Sequence, residues 1–385
     1  MDFTPSESQS AVAKAARDFA EKEMRPVVME HDESQEFPRE VVRKLGELGF
    51  MGMTWPEALG GAGLGDLEAV AVIEEIARVD PSVALTVASH NSLCTGHIML
   101  FGSEEQKKKF VPGLASGNVL GAWGLTEPGS GSDSGGMRTT ARRDGDFWIL
   151  NGSKTFITQG SVAGTYVIMA VTDSAKGKKG ISAFIVPAGL PGFTIGKKEN
   201  KLGMRSSDTA TLLFDGVRIP DGNLIGKPGD GFPQALVVLD GGRIGIAALS
   251  VGIARGALEA SIAYARERHQ FGRAIAEFQA IQWKIADMAT EISAARILTQ
   301  RAAWLKSRGE PFSLAASKAK YFASEAAVRA AGEAVQIHGG YGFIKEFPVE
   351  KLYRDVKLMT IGEGTSEVQK MIIARHLLQA THRRD

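Results

Sequence analysis

The chain changes character at Leu125-Thr126-Glu127-Pro128-Gly129-Ser130-Gly131-Ser132-Asp133, where helical periodicity gives way to strand-like sequence. The glycines permit unusual backbone angles and expose N–H groups, and the Thr126, Ser130 and Ser132 hydroxyls add hydrogen-bond donors. Small residues also let the backbone approach a ligand closely, so the stretch can bind a phosphate or the oxygens of a heterocycle. A Gly- and Ser-rich interdomain loop has the same composition, and the stretch alone leaves both interpretations open.

The residues before this stretch predict an all-helical region. A helix is expected to begin at Thr4-Pro5-Ser6-Glu7, with Thr4 as its capping residue. Another is expected over residues 66–79, where a helical pattern stops just before Pro81. The first third of the chain is therefore expected to be helical.

The residues after the stretch predict strands and then long helices. Short runs rich in β-branched and aromatic residues are separated by turn signals at Asp144-Gly145 and Asn151-Gly152. Ala-rich segments with few interior breakers follow Pro233 and suggest a helical bundle. The clearest strand candidates are residues 147–150, 166–169, 181–186 and 211–214, and the clearest helix candidates are residues 279–306 and 313–335. The order helices, strands, helices indicates an α+β fold.

Composition and charge narrow the class of protein. A chain of 385 residues is long enough for two or three domains. Its 45 basic and 44 acidic residues give a net charge of +1, which provides no overall field to attract nucleic acid or an anionic membrane. The single Cys94 lies outside any metal-ligand spacing, so no metal site is expected. Residues 1–5 lack the pattern of a secretory signal and no apolar run reaches roughly 18 residues, so we expect a cytoplasmic protein.

Two further segments combine glycine with basic or polar residues. Arg266-Glu267-Arg268-His269-Gln270-Phe271-Gly272-Arg273 lies where one helix is expected to end, and Arg268 could neutralise a phosphate. A solvated charge run is the alternative interpretation. In Gln336-Ile337-His338-Gly339-Gly340-Tyr341-Gly342, a helix C-cap explains Gly339 but leaves Gly340 and Gly342 unexplained.

The last informative segment is Ile361-Gly362-Glu363-Gly364-Thr365-Ser366-Glu367-Val368-Gln369. Ser366 and Gln369 have the spacing of a capping box, so Glu363 is expected just outside the final helix. A carboxylate between two glycines is unshielded and can be placed against a ligand, although a glutamate in a surface loop is the more common case. The helix dipole explains Glu367 better than a role as the placed carboxylate does.

Together these four segments resemble the acyl-CoA dehydrogenase family, and its short-chain, butyryl-CoA type most. The resemblance covers essentially the whole chain, including the linking residues 203–209, 214–220 and 351–355. It implies an N-terminal all-helical domain, a middle β-barrel-like or sandwich domain and a C-terminal four-helix bundle. The corresponding boundaries are residues 1–120, 121–231 and 232–385.

The resemblance also implies bound FAD, in a homotetramer built as a dimer of dimers, with the cofactor spanning a dimer interface. By motif, the Leu125 backbone and Thr126 hydroxyl would meet the pyrimidine side of the flavin, Thr158 would bond flavin N5, and Phe156 stands where the family usually has Trp. Ser132 would lie near the pyrophosphate and the substrate. The other expected cofactor contacts are Arg268, Gln270, Phe271 and Gln279 from the neighbouring subunit, Gln336, Ile337, Gly339 and Gly340 in the same cleft, and Thr365, Ser366 and Glu367 beside the adenine half.

The implied reaction is α,β-dehydrogenation of an acyl-CoA to a trans-2-enoyl-CoA, with electrons passed to electron-transferring flavoprotein. Glu363 would remove the α proton. Some relatives carry this base at the position of Gly242 instead and lack a glutamate in the later loop, whereas this chain has no carboxylate at position 242 and has Glu363 in that loop. Gly362 stands where short- and medium-chain relatives often have an aromatic residue, so the pocket could be wider here or a neighbour could compensate. A short- to medium-chain acyl-CoA is expected, without a firm length. The expected substrate contacts are Ser132, Asp240, Arg243, Gly362 and Gly364.

Two rival functions fit the same scaffold. A flavin oxidase or monooxygenase would react with oxygen instead of a protein acceptor, and the sequence does not separate it from a dehydrogenase. A non-catalytic flavin-binding protein, such as one associated with nucleic acid, is the second rival. The absence of a basic extension and the presence of Glu363 argue against the second.

Overall fold

A computed structural model describes residues 4–380, apart from the side chain of Ala380. Residues 1–3, part of the segment analysed above for a targeting signal, and residues 381–385, the end of the expected bundle domain, lie outside the described residues. The described chain runs from helices through a sheet to helices, so the α+β architecture is confirmed.

From residue 4 onward, where the structure describes the chain, seven α-helices precede the sheet. They are α1 (Glu7–Phe19), α2 (Val28–Ser34), α3 (Arg39–Glu47), α4 (Asp66–Ala77), α5 (Pro81–Ser89), α6 (Gly96–Phe101) and α7 (Glu104–Ala115). The expected cap Thr4 is wrong: Ser6 caps α1, and a capping box joins its hydroxyl to the Gln9 N–H and its own N–H to the Gln9 side chain. Helices α4 and α5 are buried along most of their length, so they form the core of this region.

The middle of the chain forms one eight-stranded sheet. Its strands are β1 (Gly121–Gly124), β2 (Thr140–Asp144), β3 (Phe147–Thr158), β4 (Thr165–Val171), β5 (Ile181–Pro187), β6 (Phe193–Lys198), β7 (Thr209–Pro220) and β8 (Leu224–Ile225). The order is β6-β7-β3-β2-β4-β5-β8, and β1 pairs in parallel with β4. The four strand candidates all lie in strands. Strand β3 pairs with both β2 and β7, and the Gly-rich stretch that follows β1 packs beside its end.

One of the two turn signals is correct and the other is wrong. Gly145 and Asp146 connect β2 to β3, as a two-residue hairpin loop does. Asn151-Gly152 lies inside β3, at a shift of register against β7. Gly152 has φ of 136°, and a Cβ there would lie 2.7 Å from the backbone of Thr139. The glycine therefore permits a bulge and a close strand contact instead of a turn.

The C-terminal part is helical around α8 (Gly231–Glu267) and α10 (Ser313–His338). Between them lie the short hairpin of β9 (His269–Gln270) and β10 (Arg273–Ala274) and then α9 (Gln279–Ser307), and the chain ends with α11 (Pro348–Val356) and α12 (Ser366–Ala380). Helix α10 packs against α8, α9 and α12, and its alanines allow these close approaches.

Helix α8 corrects the expectation about membrane spans. It contains an 18-residue window with a mean hydropathy of 1.7, which is apolar enough to cross a membrane. Because 72% of that window is buried inside the protein, α8 is a core helix of the bundle.

A buried polar junction joins the three parts of the chain. Lys351 Nζ in α11 lies 2.6 Å from Asp355 Oδ2 and 3.1 Å from Asp80 Oδ1, beside the start of α5. Asp355 also accepts a hydrogen bond from the Met204 N–H, in the segment between β6 and β7. Each of the three charged side chains is almost completely buried, so each depends on the others for its neutralisation.

Candidate active site

Glu363 lies in a strained turn immediately before α12. Its φ is 53°, in the left-handed region, and Gly364 follows with φ of 93°. Two side chains hold the carbonyls of this turn: Gln369 Nε2 donates to the Glu363 and Gly364 oxygens at 3.3 and 3.0 Å, and Lys320 Nζ donates to the Gly364 oxygen at 2.8 Å. The turn is therefore fixed from two helices, α12 and α10.

The expected capping box of the final helix is wrong. Helix α12 begins at Ser366, and the hydroxyl of the preceding Thr365 accepts the Val368 N–H at 3.3 Å. Ser366 is buried and donates to Glu325 Oε1 at 2.6 Å. Gln369 uses its side chain on the turn instead of on a cap, so the spacing that suggested a box serves to hold Glu363.

The Glu363 carboxylate is withdrawn from water on one side. Its Oε2 is inaccessible and has no hydrogen-bond partner among the described residues, although other parts of the residue are accessible. It faces α8 at Gly242, where a Cβ would lie only 2.0 Å from Oε2. Burial raises the pKa of Glu363 from its ordinary 4.5 to about 7, against the opposing charges of Arg243 and Lys320. A carboxylate with that pKa and a free oxygen can accept a proton near neutral pH.

The expected substrate contacts on α8 lie beside this carboxylate. Arg243 Nη1 forms an ion pair with Asp240 Oδ1, and Arg243 is almost completely buried. Its Nε has no partner among the described residues, and burial lowers its pKa while raising that of Asp240. Gly362 is half-buried against Leu358. Asp240, Arg243, Gly362 and Gly364 thus belong to the same region as Glu363, whereas Ser132 is exposed in the loop after β1.

The expected flavin contacts meet where β1 and β3 end. The Thr155 N–H donates to the Thr126 oxygen at 2.9 Å, which places Leu125 and Thr126 beside Phe156 and Thr158. Leu125 is buried, and Thr126 and Thr158 are half-buried. Phe156 is 64% exposed with φ of 56°, so a strained backbone presents its ring to the surface.

A buried ion pair beneath this loop was missed by the sequence analysis. Lys154 Nζ donates to Glu127 Oε1 at 2.7 Å and to the Leu125 oxygen at 3.1 Å. The Glu127 carboxylate also accepts the N–H groups of Arg138 and Thr139, at 2.6 and 3.0 Å. The pair fastens the Gly-rich stretch to β3. No local pattern indicates it, because Lys154 stands between hydroxyl residues in a strand.

A separate cavity of about 510 Å³ lies where α8 and α10 end. It brings together five expected cofactor contacts, Arg268, Gln270, Ile337, Gly339 and Gly340. The Arg268 guanidinium lies 5.3 Å from the centre of the Tyr341 ring, and Tyr264 stacks on His338 at 4.2 Å. A cation, an amide and aromatic faces form a donor set that suits a phosphate attached to an aromatic heterocycle.

The remaining expected contacts lie outside that cavity lining. Phe271 is 94% exposed, Gln279 is exposed at the start of α9, and Gln336 is exposed on α10. Thr365 and the exposed Glu367 lie in the Glu363 region. Over residues 4–380, no group of three or more His, Cys, Asp or Glu side chains could hold a metal ion.

Three family models together match nearly the whole chain. The family model described as "Acyl-CoA dehydrogenase, N-terminal domain" matches residues 6–118, the middle-domain model matches residues 122–217 and the C-terminal-domain model matches residues 229–378. "Acyl-CoA dehydrogenase, short-chain specific" of Clostridium acetobutylicum is 48% identical over 374 residues, which are 97% of this chain and 99% of that protein.

Two solved structures resemble this chain with the same TM-score. Butyryl-CoA dehydrogenase from Megasphaera elsdenii has a TM-score of 0.97 at 45% identity, covering 98% of this chain and 100% of the other. A chain of "Electron transferring flavoprotein of Acidaminococcus fermentans: Towards a mechanism of flavin-based electron bifurcation" has a TM-score of 0.97 at 47% identity, covering 100% of both chains. With matches to all three family models and a shared fold, the chain belongs to the acyl-CoA dehydrogenase family.

Proposed function

We propose that the protein converts a short- to medium-chain acyl-CoA to the trans-2-enoyl-CoA, with Glu363 as the base that removes the α proton. The observation that carries this proposal is the buried Glu363 Oε2 that has no partner among the described residues. An oxygen already used in an ion pair could not accept the proton without breaking that pair. The pKa of about 7 matches the task, because a base near the working pH is both ionised and proton-accepting.

The cofactor is FAD, since the family consists of FAD-dependent flavoproteins. The residues present fit this group: Phe156 offers an exposed aromatic face beside Thr126 and Thr158, and the cavity at Arg268 offers a cation and aromatic walls. Bound FAD supplies the acceptor, at flavin N5, for the hydrogen that leaves the β carbon as hydride. Lys154 supports that role by fixing the Leu125 carbonyl and the Glu127 carboxylate.

The protein's own groups account for the proton transfer. Glu363 takes the α proton, and its backbone N–H stabilises the negative charge that develops on the thioester oxygen. Asp240 and Arg243, on the facing helix, bind the pantetheine and adenosine portions of the substrate. The strained turn keeps the carboxylate against Gly242, so the base needs no large rearrangement before it acts.

Substrate length is proposed from the relatives and from the space beside the base. The relatives named above are described as short-chain specific and as butyryl-CoA dehydrogenase, which favours a short chain, and Gly362 leaves no side chain next to Glu363, which leaves room for a medium chain. Turnover measured with a series of acyl-CoA thioesters and an artificial acceptor tests this part. A maximum at butyryl-CoA or hexanoyl-CoA supports it, and a maximum at long chains contradicts it.

Assembly and pathway complete the proposal. Exposed apolar residues on α9 and α12, Trp283, Trp304, Met371 and Leu377, support association into a homotetramer. The acceptor would be electron-transferring flavoprotein, the reaction a step of fatty acid β-oxidation, and the location the cytoplasm. The boundaries at residues 1–120, 121–231 and 232–385 are part of the same proposal.

The deciding variant is Glu363→Gln, which keeps the shape of the side chain but cannot accept a proton. We expect FAD content to remain normal and turnover of butyryl-CoA to fall by about 10²- to 10⁴-fold. Glu105→Gln, at an exposed carboxylate on α7, is the control and should keep its activity. Substantial turnover by Glu363→Gln would contradict the assignment.

A second measurement separates a dehydrogenase from an oxidase. The flavin is first bleached with butyryl-CoA under anaerobic conditions and is then exposed to air. Slow recovery of the oxidised spectrum, accelerated by electron-transferring flavoprotein, is expected. Rapid recovery in air alone would assign the protein to the oxidases on this scaffold.

A further inference from the structure

Lys320 is a buried cation without a carboxylate partner. It lies in α10, is 0% exposed, and forms no ion pair in the described part of the chain. Buried ammonium groups are normally neutralised, because an unpaired charge away from water is costly. Its Nζ instead donates to the Gly364 carbonyl, at 2.8 Å. A costly charge is thus placed on the backbone of the Glu363 turn.

The backbone of that turn needs support. Glu363 has φ of 53°, and a left-handed conformation at a residue other than glycine costs about 1–2 kcal/mol. Such a conformation persists only where the surroundings determine it. Gln369 and Lys320 both bind the Gly364 oxygen, and Lys320 is the charged donor of the two.

The position of Lys320 also affects the charge balance around Glu363. Burial, helped by the charge of Arg243, lowers the pKa of Lys320 to about 8, although the carboxylates of Glu363, Glu325 and Glu367 oppose this. Conversely, Arg243 and Lys320 both favour the ionised form of Glu363. Arg243 already pairs with Asp240, three residues earlier in α8, so Lys320 is the cation near Glu363 with no acid of its own.

We propose that Lys320 is a positioning residue for the dehydrogenation: it fixes the Glu363 turn through the Gly364 carbonyl and offsets the cost of ionising Glu363 without pairing with its carboxylate. A direct ion pair would occupy the oxygen that must accept the α proton. A cation held one residue away stabilises the charge and leaves that oxygen available. This inference rests on the proposed function, in which Glu363 is the base.

The test uses the FAD-loaded enzyme with Lys320→Met, which keeps the apolar stem of the side chain and removes the cation. The pH dependence of kcat/KM for butyryl-CoA is measured with an artificial acceptor. Loss of a nearby cation raises the pKa of a carboxylate, so the acidic limb should move up by about one pH unit. At pH 7, kcat should fall about fivefold while KM and FAD content stay near wild type. Lys320→Arg, which retains the cation, should keep the acidic limb in place.

Lys318→Met is the matched control, since Lys318 is half-buried two residues earlier in α10. It should leave the limb unchanged. If Lys320→Met does not fold, Lys320→Gln, which keeps a polar donor in the site, carries the same expectation. If the uncharged variant that folds, Lys320→Met or Lys320→Gln, shows the same acidic limb of kcat/KM as wild type, the proposal is overturned. Failure of both neutral variants to fold also overturns it, because Lys320 would then belong to the folding core.

The outcome for Lys320 is separable from that for Glu363. If Glu363→Gln is inactive and Lys320→Met behaves as wild type, Glu363 remains the base and only the role of Lys320 is lost. If Glu363→Gln keeps turnover, the proposed function fails whatever Lys320→Met does.

Discussion

Two buried lysines support the two halves of the site in different ways. Lys154, under the Gly-rich stretch, is bonded to Glu127, whereas Lys320, under the Glu363 turn, is bonded to a carbonyl. Burial lowers the pKa of both lysines to about 8. The carboxylates differ: burial raises the pKa of Glu127 but Lys154 and the backbone donors more than compensate, so it stays below 4.5, while that of Glu363 rises to about 7.

The difference teaches how to distinguish structural from chemical carboxylates in this protein. Glu127 has partners at both oxygens, so its charge is permanent and its position is fixed. Glu363 has an oxygen without a partner in the described residues, so protonation breaks no bond there. The chemistry therefore belongs to the carboxylate that its neighbours leave unsatisfied.

The largest effect is expected from breaking the structural pair. Lys154→Met leaves Glu127 buried without its cation, which should lower the free energy of unfolding by about 3–5 kcal/mol and reduce FAD content. Urea unfolding followed by circular dichroism measures the free energy of unfolding. The double variant Lys154→Met, Glu127→Gln should recover part of the loss. A loss below about 1 kcal/mol in the single variant would show that the pair is not structural.

The pH dependence of stability sharpens the comparison next. The folded protein binds the Glu363 proton more tightly (pKa about 7) than the unfolded chain does (ordinary value 4.5). Protonation of Glu363 therefore stabilises the folded protein. This contribution to the free energy of unfolding is fully present below pH 4.5 and is lost as the pH rises through 7. Glu363→Gln, which never ionises, should exceed wild type in unfolding free energy by up to about 3 kcal/mol at pH 8 and by little at pH 5. Equal differences at the two pH values would contradict this.

A steric change at Gly242 tests the position of the base. In Gly242→Ala the new Cβ would collide with Glu363 Oε2, and the flexible carboxylate should move away. We expect normal folding, because alanine favours helix, and a loss of kcat of about 10²-fold. Gly241→Ala is the matched control, since its Cβ would meet only Lys306 Cε, at 3.9 Å. Equal activity in the two variants would refute the contact.

The smallest effect is expected at the cofactor cavity. Arg268→Ala removes one guanidinium next to Tyr341, and FAD should be retained about tenfold more weakly, with KM for butyryl-CoA unchanged. Equilibrium dialysis of released flavin measures it. Arg266→Ala, at an exposed arginine in the last turn of α8, serves as the control.

The sequence predicted the features that depend on residues close together in the chain. Periodicity and breakers placed the helices at residues 279–306 and 313–335 and four of the strands, and the glycines around Glu363 indicated an unshielded carboxylate. It could not place Asn151-Gly152 inside β3 or choose Ser6 over Thr4 as a cap, because partners decide both. The cations at positions 154 and 320 were missed for the same reason. Each bonds to a residue distant in the chain, and such a contact exists only after packing.

The junction of Lys351, Asp80, Asp355 and the Met204 N–H has a practical consequence for handling the molecule. A fragment truncated before α11 would lack Lys351 and Asp355. Asp80 would then have no ammonium partner, the Met204 N–H would have no acceptor, and both groups would lie at a surface that the intact chain buries. Expressing the helical, sheet and bundle segments separately should therefore yield aggregates, and the intact chain should melt as a single cooperative unit.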